Sequence, residues 1–308
     1  MAELKTGTDW PELPLAGWID TRDTLHRWLQ IVGKVRLRLT PPINHSWHTT
    51  LYLTARGLTT SPIPHGTRSF HIDLDFVEHR LHIAAIDGAS GGFPLEPQSV
   101  AEFYGRLMDE LSRMGLPVSI FARPNELPDS TPFADDQVHR SYDRDAAHRF
   151  WRALSQADRV LKIFRTGFVG KCSPVHLFWG AMDLAVTRFS GRLAPAHPGG
   201  IPNLPDRVTR EAYSHEASSC GFWSGTSPID FPAFYSYAYP PPEGFAAAAV
   251  VPDGAFYSAD FGEFILPYDA VRTSADPDQA LLAFLQSTYA AAADLAKWDR
   301  AALERPLA

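Results

Sequence analysis

The residues best suited to chemistry concentrate in SPVHLFWGAMDLAVTRFSGR, residues 173–192. Asp183 stands there among apolar residues, with His176 before it and Arg188 and Arg192 after it. A carboxylate in an apolar setting needs a charged or hydrogen-bonding partner. We expect Asp183 to orient His176 as a general base, and the two arginines to bind an anion at the end of a strand.

A second group of reactive side chains follows in YSHEASSC, residues 213–220. His215 lies next to Glu216 and close to several hydroxyl groups, so it is the alternative candidate for the general base. We place Glu216 in the same catalytic group and Tyr213 among the ligand-binding residues. A histidine in such a setting can equally be a hydrogen-bonded structural residue.

Other motifs are weaker. His71, Asp73 and Asp75 alternate on one strand face, but they lack a compact metal-ligand signature, so we interpret them as a solvated face and predict no metal site. Residues 88–92, GASGG, match the G-x-S-x-G pattern, yet no helix can start directly after Ser90. Phosphate-binding and dinucleotide-binding glycine motifs are absent from the sequence, and it identifies no cofactor.

The elements that must position these residues form a pattern that occurs twice. An apolar helical stripe around Leu25–Val32 precedes WHTTLYLTAR, Trp47–Arg56, and a similar stripe around Ala147–Phe164 precedes WGAMDLAVTR, Trp179–Arg188. We interpret both Trp-to-Arg segments as strands, the second of them central. Asp20 or Thr21 is expected to cap the first helix and Asp143 the second. A bulge at Gly180 would bring His176 and Asp183 to the same side.

Each Trp-to-Arg segment is followed by further strand patterns and a helix. These are Phe70–Phe76, Leu81–Ile86 and a helix over Pro97–Met114 in the first half, and Phe234–Tyr239, Ala255–Leu266 and a helix over Pro277–Trp298 in the second. Clean alternation, as in Phe70–Phe76, favours antiparallel sheet with helices on one face.

We therefore predict an α+β fold made of two diverged copies of a helix–strands–helix unit in a pseudo-two-fold arrangement. The predicted units are residues 1–121 and 146–308, packed as one body and joined by a Pro- and Asp-rich linker, residues 122–145. In that arrangement Arg56 and Arg188 are equivalent and can approach one another.

Composition narrows the possible classes of protein. The net charge of -7 and the absence of basic runs argue against nucleic-acid binding. The first residues carry no apolar segment typical of a signal peptide, and no apolar run approaches the ~20 residues that a membrane helix needs. Cys172 and Cys220 are expected to be reduced thiols. We predict a cytoplasmic protein that does not bind membranes, and the oligomeric state is left open.

Three segments carry a resemblance to a known family: residues 139–165, 173–192 and 213–225. They resemble an uncharacterised bacterial family known only as domain of unknown function 5996, and the resemblance extends over nearly the whole chain. It implies that the three segments belong to one module, and it implies no activity.

Two functional hypotheses follow. The first is a protein or enzyme that binds an anionic small molecule in a pocket between the two units, lined mainly by the second unit. Arg56, Arg188 and Arg192 would bind the anion. The alternative is a non-catalytic structural or interaction module, in which Asp183 and the arginines form a buried network.

Overall fold

Two antiparallel sheets of six strands each organise the fold of the chain. The structure is a computed structural model that describes residues 9–225 and 229–305. Helices precede and follow each sheet along the chain. The predicted α+β class with antiparallel sheets is confirmed, and the order helix, strands, helix occurs twice. A duplication with a pseudo-two-fold relation stays a prediction.

The helices of the described residues are α1 Ile19–Leu39, α2 Val100–Arg113, α3 Arg144–Thr166, α4 Asp206–Ala212, α5 Tyr268–Arg272, α6 Pro277–Leu295 and α7 Arg300–Leu303. Within this part of the chain, none of them combines the length and the apolar character that crossing a membrane requires.

Capping explains where several of these helices begin. The carboxylate of Asp143 accepts a hydrogen bond from the backbone N–H of Ala146, which confirms the predicted cap of α3. The predicted cap of α1 is wrong. That helix begins at Ile19, so Asp20 and Thr21 lie inside its first turn and no side chain caps it.

The first sheet contains β1 Tyr52–Leu53, β2 Gly57–Thr59, β3 Ile63–His65, β4 Arg68–Asp75, β5 Arg80–Ala85 and β6 Ser90–Pro94. Its order is β1-β2-β4-β5-β6, and β3 pairs with β4. Helices α1 and α2 pack against each other and contact β3 and β6 respectively.

The second sheet contains β7 His176–Phe178, β8 Asp183–Leu193, β9 His215–Trp223, β10 Ala233–Tyr239, β11 Phe256–Ser258 and β12 Glu263–Pro267. Its order is β11-β12-β10-β9-β8-β7. Helices α3 and α6 cover one face of it. Most side chains on that face are apolar and buried, among them Leu184, Val186, Phe222, Phe234 and Leu266.

The two Trp-to-Arg segments are not single strands, so this part of the prediction is wrong. Residues 179–182 form a tight turn that joins β7 to β8, with Met182 in the left-handed region at φ 57°. In the first segment, β1 is only two residues long and Arg56 lies in the bend that follows it. The Thr54 hydroxyl accepts hydrogen bonds from the N–H groups of Arg56 and Gly57 and stabilises that bend.

The predicted bulge at Gly180 is also wrong, because Gly180 lies in the hairpin turn. The hairpin nevertheless places His176 and Asp183 on one face. His176 pairs with Ala185 and Phe178 pairs with Asp183, and directly paired residues point to the same side of an antiparallel sheet.

Candidate functional site

The face of the second sheet that lies away from α3 and α6 is the floor of a cavity of about 1520 Å³. Helix α1 and the segments 40–49, 121–130 and 201–213 form its walls. The predicted first unit and linker both contribute, and the second unit provides most of the lining. The volume exceeds the roughly 300–1,000 Å³ of ordinary ligand pockets.

Four acidic residues line this cavity; Glu211 is exposed, and the other three have carboxyl groups with raised pKa values. Asp183 is the first residue of β8, Glu263 is the first residue of β12, and Glu126 lies in the irregular segment before α3. Burial raises the pKa of Asp183 to about 6, of Glu126 to about 7 and of Glu263 to about 8. The charge of Asp183 raises the pKa values of both glutamates further. The charge of Asp183 therefore acts on both glutamates.

Asp183 has one side-chain hydrogen-bond partner among the described residues. The Tyr235 hydroxyl donates to its Oδ2 at 2.5 Å. Tyr235 can cross β9 to reach it because Gly221 has no side chain: a Cβ there would lie 2.7 Å from the phenolic oxygen. Beside this pair, the hydroxyls of Tyr213 and Tyr237 lie 2.9 Å apart. The cavity floor is thus a row of phenols beside a carboxylate.

Glu126 is held in place by local backbone geometry. Its φ of 58° is uncommon for a residue with a side chain, and such conformations are concentrated at functional sites. Its carboxylate occupies space that Gly180 leaves free, since a Cβ on Gly180 would lie 1.9 Å from Oε1. The preceding residue, Asn125, exchanges backbone hydrogen bonds with the Gln30 amide at 2.7 and 2.8 Å.

A buried amine, that of Lys34 on α1, faces the same cavity. The side chain donates to Asn125 Oδ1, and its Nζ lies 5.5 Å from the ring centre of Phe121 and 5.3 Å from that of Trp179. Burial lowers the pKa of Lys34 to about 8, against the opposing effect of the Glu126 charge. The cavity therefore contains a weakened base beside weakened acids.

His26 supports the turn that carries Asp183. Its Nε2 lies 3.0 Å from the carbonyl oxygen of Trp179 and 2.8 Å from that of Gly180. Burial lowers the pKa of His26 to about 4, so the ring is neutral at pH 7 and its Nε2–H donates to these carbonyls. This histidine stabilises the turn between β7 and β8.

His176, the first candidate base, does not line the cavity although it shares a sheet face with Asp183. It is wholly buried and packs edge-on against Phe178, with ring centres 4.4 Å apart. Neither ring nitrogen has a hydrogen-bond partner among the described residues. Burial lowers the pKa of His176 to about 3.

His215, Glu216 and Arg192 all lie outside the cavity lining. The ring of His215 contacts the Ser214 hydroxyl at 3.0 Å. Arg192 forms an ion pair with Glu216 at 2.6 Å and also donates to the backbone carbonyl of Ala296 near the end of α6. Tyr213, in contrast, lines the cavity beside the acids.

Arg188 and Arg56 also lie outside the cavity lining. Arg188 points to the helix-covered face, where its guanidinium lies 3.5 Å from the ring centre of Phe164. Arg56 is half exposed on the first sheet and pairs with Asp75 and Glu78. The two arginines share no partner. The predicted network of Asp183 with arginines is not formed, because the side-chain partner of Asp183 is Tyr235.

The sequence patterns assigned no catalytic or ligand-binding role to Lys34, Glu126, Tyr235 or Glu263, all of which line the cavity. One signal was available, since FYSYAY at 234–239 has a tyrosine at every second residue, which places all three tyrosines on one strand face. Glu126 had no such signal, because it lies in the segment predicted to be a linker.

Together these features define the class: an α+β protein with a cavity between an antiparallel sheet and helix α1. Carboxyl groups and tyrosine side chains form the floor of that cavity. The chain belongs to the family of unknown function DUF5996, whose model matches residues 10–305. The resemblance noted in the sequence is thereby confirmed. Neither a curated protein nor a solved structure matches the chain.

Proposed function

We propose that the chain binds a small organic molecule in this cavity, as a ligand-binding protein or an enzyme, and that the ligand presents a basic group to the acids. The observation that carries the proposal is that Asp183, Glu126 and Glu263 open onto one cavity with raised pKa values. Perturbed acids that share a cleft are a recognised mark of functional sites.

The physical reason is electrostatic. Burial makes the ionised carboxylates unfavourable, so part of this group stays protonated near pH 7. A cationic group on the ligand stabilises the ionised carboxylates, which burial disfavours. The acids therefore release protons as the ligand binds. Lys34 offsets one negative charge at Glu126, which leaves Asp183 and Glu263 for the ligand.

The aromatic lining favours the same class of ligand. Tyr235, Tyr237, Trp223 and Phe261 line the cavity near the acids, and the rings of Trp223 and Phe261 lie 6.0 Å apart. Aromatic faces attract cations by about 0.5–2 kcal/mol, depending on desolvation. They also supply the apolar contact area that an organic amine requires.

An anionic ligand, the class expected from the sequence, has separate support. Arg38, Arg123 and Arg207 line the cavity and are exposed, which places them towards its mouth. Within the described residues, none of the three forms an ion pair with an acid. This second candidate is an anion bound at the mouth of the cavity, away from Asp183, Glu126 and Glu263.

Benzylamine, benzyl alcohol and benzoate separate these alternatives, because they share one ring and differ in charge. In a thermal-shift titration we expect benzylamine to stabilise the protein most, since only it pairs with the acids. Calorimetry in two buffers of different ionisation enthalpy should show protons released on benzylamine binding.

Asp183→Asn should abolish the response to benzylamine. Asp158→Asn is the matched control, because Asp158 is equally buried at 9% exposure but lies on α3, paired with Lys162 outside the cavity lining. Stabilisation by benzoate that survives Asp183→Asn would instead support the anionic ligand. No response to any of the three compounds would contradict both candidates.

A further inference from the structure

We propose that Lys34 is a nucleophilic amine that forms an imine with a carbonyl group of the ligand. The inference rests on the proposed function, because it requires a ligand in the cavity. It does not depend on the charge of that ligand.

The position of Lys34 differs from that of an ordinary surface lysine. The residue is only 3% exposed, yet it lines the cavity. No carboxylate of the described residues lies within ion-pair distance of its Nζ, whereas Lys162 is 61% exposed and pairs with Asp158. A buried amine that faces a cavity without a salt bridge is suited to react with a bound molecule.

The groups around the amine are themselves fixed. The Trp179 indole packs against Gly33, where a Cβ would lie 2.2 Å from its Cδ1, and its Nε1 donates to the Thr49 carbonyl at 2.8 Å. Asn125, the acceptor of the Lys34 hydrogen bond, is held by Gln30. This shell fixes the amine in one place, as catalytic groups require.

Burial also increases the fraction of reactive amine. It lowers the pKa of Lys34 from 10.5 to about 8. At pH 7 this leaves about 300-fold more of the uncharged amine than an unshifted lysine would have. The cation–π contacts with Phe121 and Trp179 are weaker than the hydration that the Lys34 ammonium group loses on burial, so they do not offset that loss.

Glu126 is positioned to move the protons that imine formation needs. It follows Asn125 in the chain, and its charge and that of Lys34 act on each other. With a pKa near 7, its carboxyl group can both donate and accept a proton at neutral pH.

The reaction balances without an oxidant or reductant. The lone pair of the uncharged Lys34 amine attacks the carbonyl carbon as the C=O π bond breaks, and the protonated Glu126 gives its proton to the carbonyl oxygen. The resulting Glu126 carboxylate takes one proton from the attached nitrogen, which leaves a neutral carbinolamine. Glu126 then donates a proton to the hydroxyl group, which leaves as water, and the nitrogen lone pair forms the C=N bond. Hydrolysis of the imine reverses these steps.

The test is to incubate the full chain at pH 7 with pyridoxal, an aldehyde, and to trap imines with sodium borohydride. The reductant delivers a hydride to the imine and leaves a stable secondary amine. The sequence has five lysines, at positions 5, 34, 162, 171 and 297, so peptide mass mapping assigns each product. We expect labelling of Lys34 at least 10-fold faster than of Lys162, Lys171 or Lys297.

Three variants sharpen the result. Lys34→Met should remove the fast labelling, Lys162→Arg should leave it unchanged, and Glu126→Gln should slow labelling of Lys34 about 10-fold while the other lysines react as before. Labelling of Lys34 no faster than that of the other lysines in the unmodified chain would overturn the inference. Benzylamine stabilisation without Lys34 labelling refutes only the imine, and the reverse outcome refutes only the basic ligand.

Discussion

The two faces of strand β8 carry buried charges in opposite ways. Arg188 lies on the face covered by α3 and α6 and is 4% exposed, while Asp183 lies on the cavity face and is 9% exposed. Both charges are removed from bulk water, a cost that a fold must offset. They differ in what surrounds them.

Arg188 is enclosed by groups that suit a guanidinium. Its Nη2 donates to the Phe164 carbonyl, and the rings of Phe164 and Tyr289 lie 3.5 and 4.2 Å from its central carbon. Asp183 has the hydroxyl of Tyr235 and an open cavity. The core-facing charge therefore contributes to stability, whereas burial of the cavity-facing carboxylate disfavours its ionised form.

The largest effect is expected on the core face. Arg188→Ala should lower the free energy of unfolding by about 2–3 kcal/mol, because the ring contacts and the packing of the side-chain stem are lost. Urea denaturation of the two proteins measures this difference. Arg188→Met retains most of the packing and should lose about half as much. If Arg188→Ala instead left stability unchanged and altered the benzylamine response, Arg188 would belong to the site.

On the cavity face, a substitution should raise the free energy of unfolding and not lower it. Asp183→Asn preserves the shape and can still accept the Tyr235 hydrogen bond, but it removes a carboxylate that burial disfavours. We expect it to raise the free energy of unfolding by about 1–2 kcal/mol at pH 8.

The pH dependence of that gain follows from the raised pKa. The ordinary pKa of Asp183 is 3.8 and its folded value is about 6. Between these values the folded chain keeps a proton that the unfolded chain has released, so the wild type loses stability as pH rises from 4 to 6. The gain from Asp183→Asn should be absent below pH 4 and constant above pH 6. Denaturation curves at pH 4, 6 and 8 check this, and a variant less stable at pH 8 would contradict the comparison.

The smallest effect is expected at Arg192, which is neither buried on the helix-covered face of β8 nor part of the cavity lining. The side chain is 49% exposed and its ion pair with Glu216 is accessible to solvent. Arg192→Gln should change the free energy of unfolding by less than ~1 kcal/mol, because exposed ion pairs contribute little. Benzylamine and benzoate responses should be unchanged. Loss of the benzoate response would instead support the anion-binding role that the sequence predicts for Arg192.

Hydrophobic periodicity and capping residues correctly predicted those helices and strands that depend mainly on neighbouring residues in the chain. The stripe in 147–164 and the cap at Asp143 became α3, and the alternation of Phe70–Phe76 became β4. These signals are reliable because helix and strand periodicity bury a face whatever the element packs against. Asp183 was recognised for a similar reason, since a carboxylate in an apolar run is unusual wherever it lies.

The prediction that each Trp-to-Arg segment is a single strand was wrong because tertiary contacts decide where the chain turns. WGAMDLAVTR contains several strand-forming residues, yet Trp179 lies outside the strand and packs on Gly33 of α1, and His26 binds the carbonyls of the turn. Nothing within the ten residues records these partners, which lie about 150 residues away in the chain.

The sequence by itself determined the α+β class, the positions of helices α1, α2, α3 and α6 and of strands β4, β5 and β10, and the unusual character of Asp183. Only the tertiary structure decided that Glu126, Glu263 and Lys34 join Asp183 around one cavity, while His176 and Arg188 do not. The reason is physical: hydrophobic periodicity is a property of neighbours along the chain, whereas the field that shifts a pKa depends on burial and on charges brought together by folding.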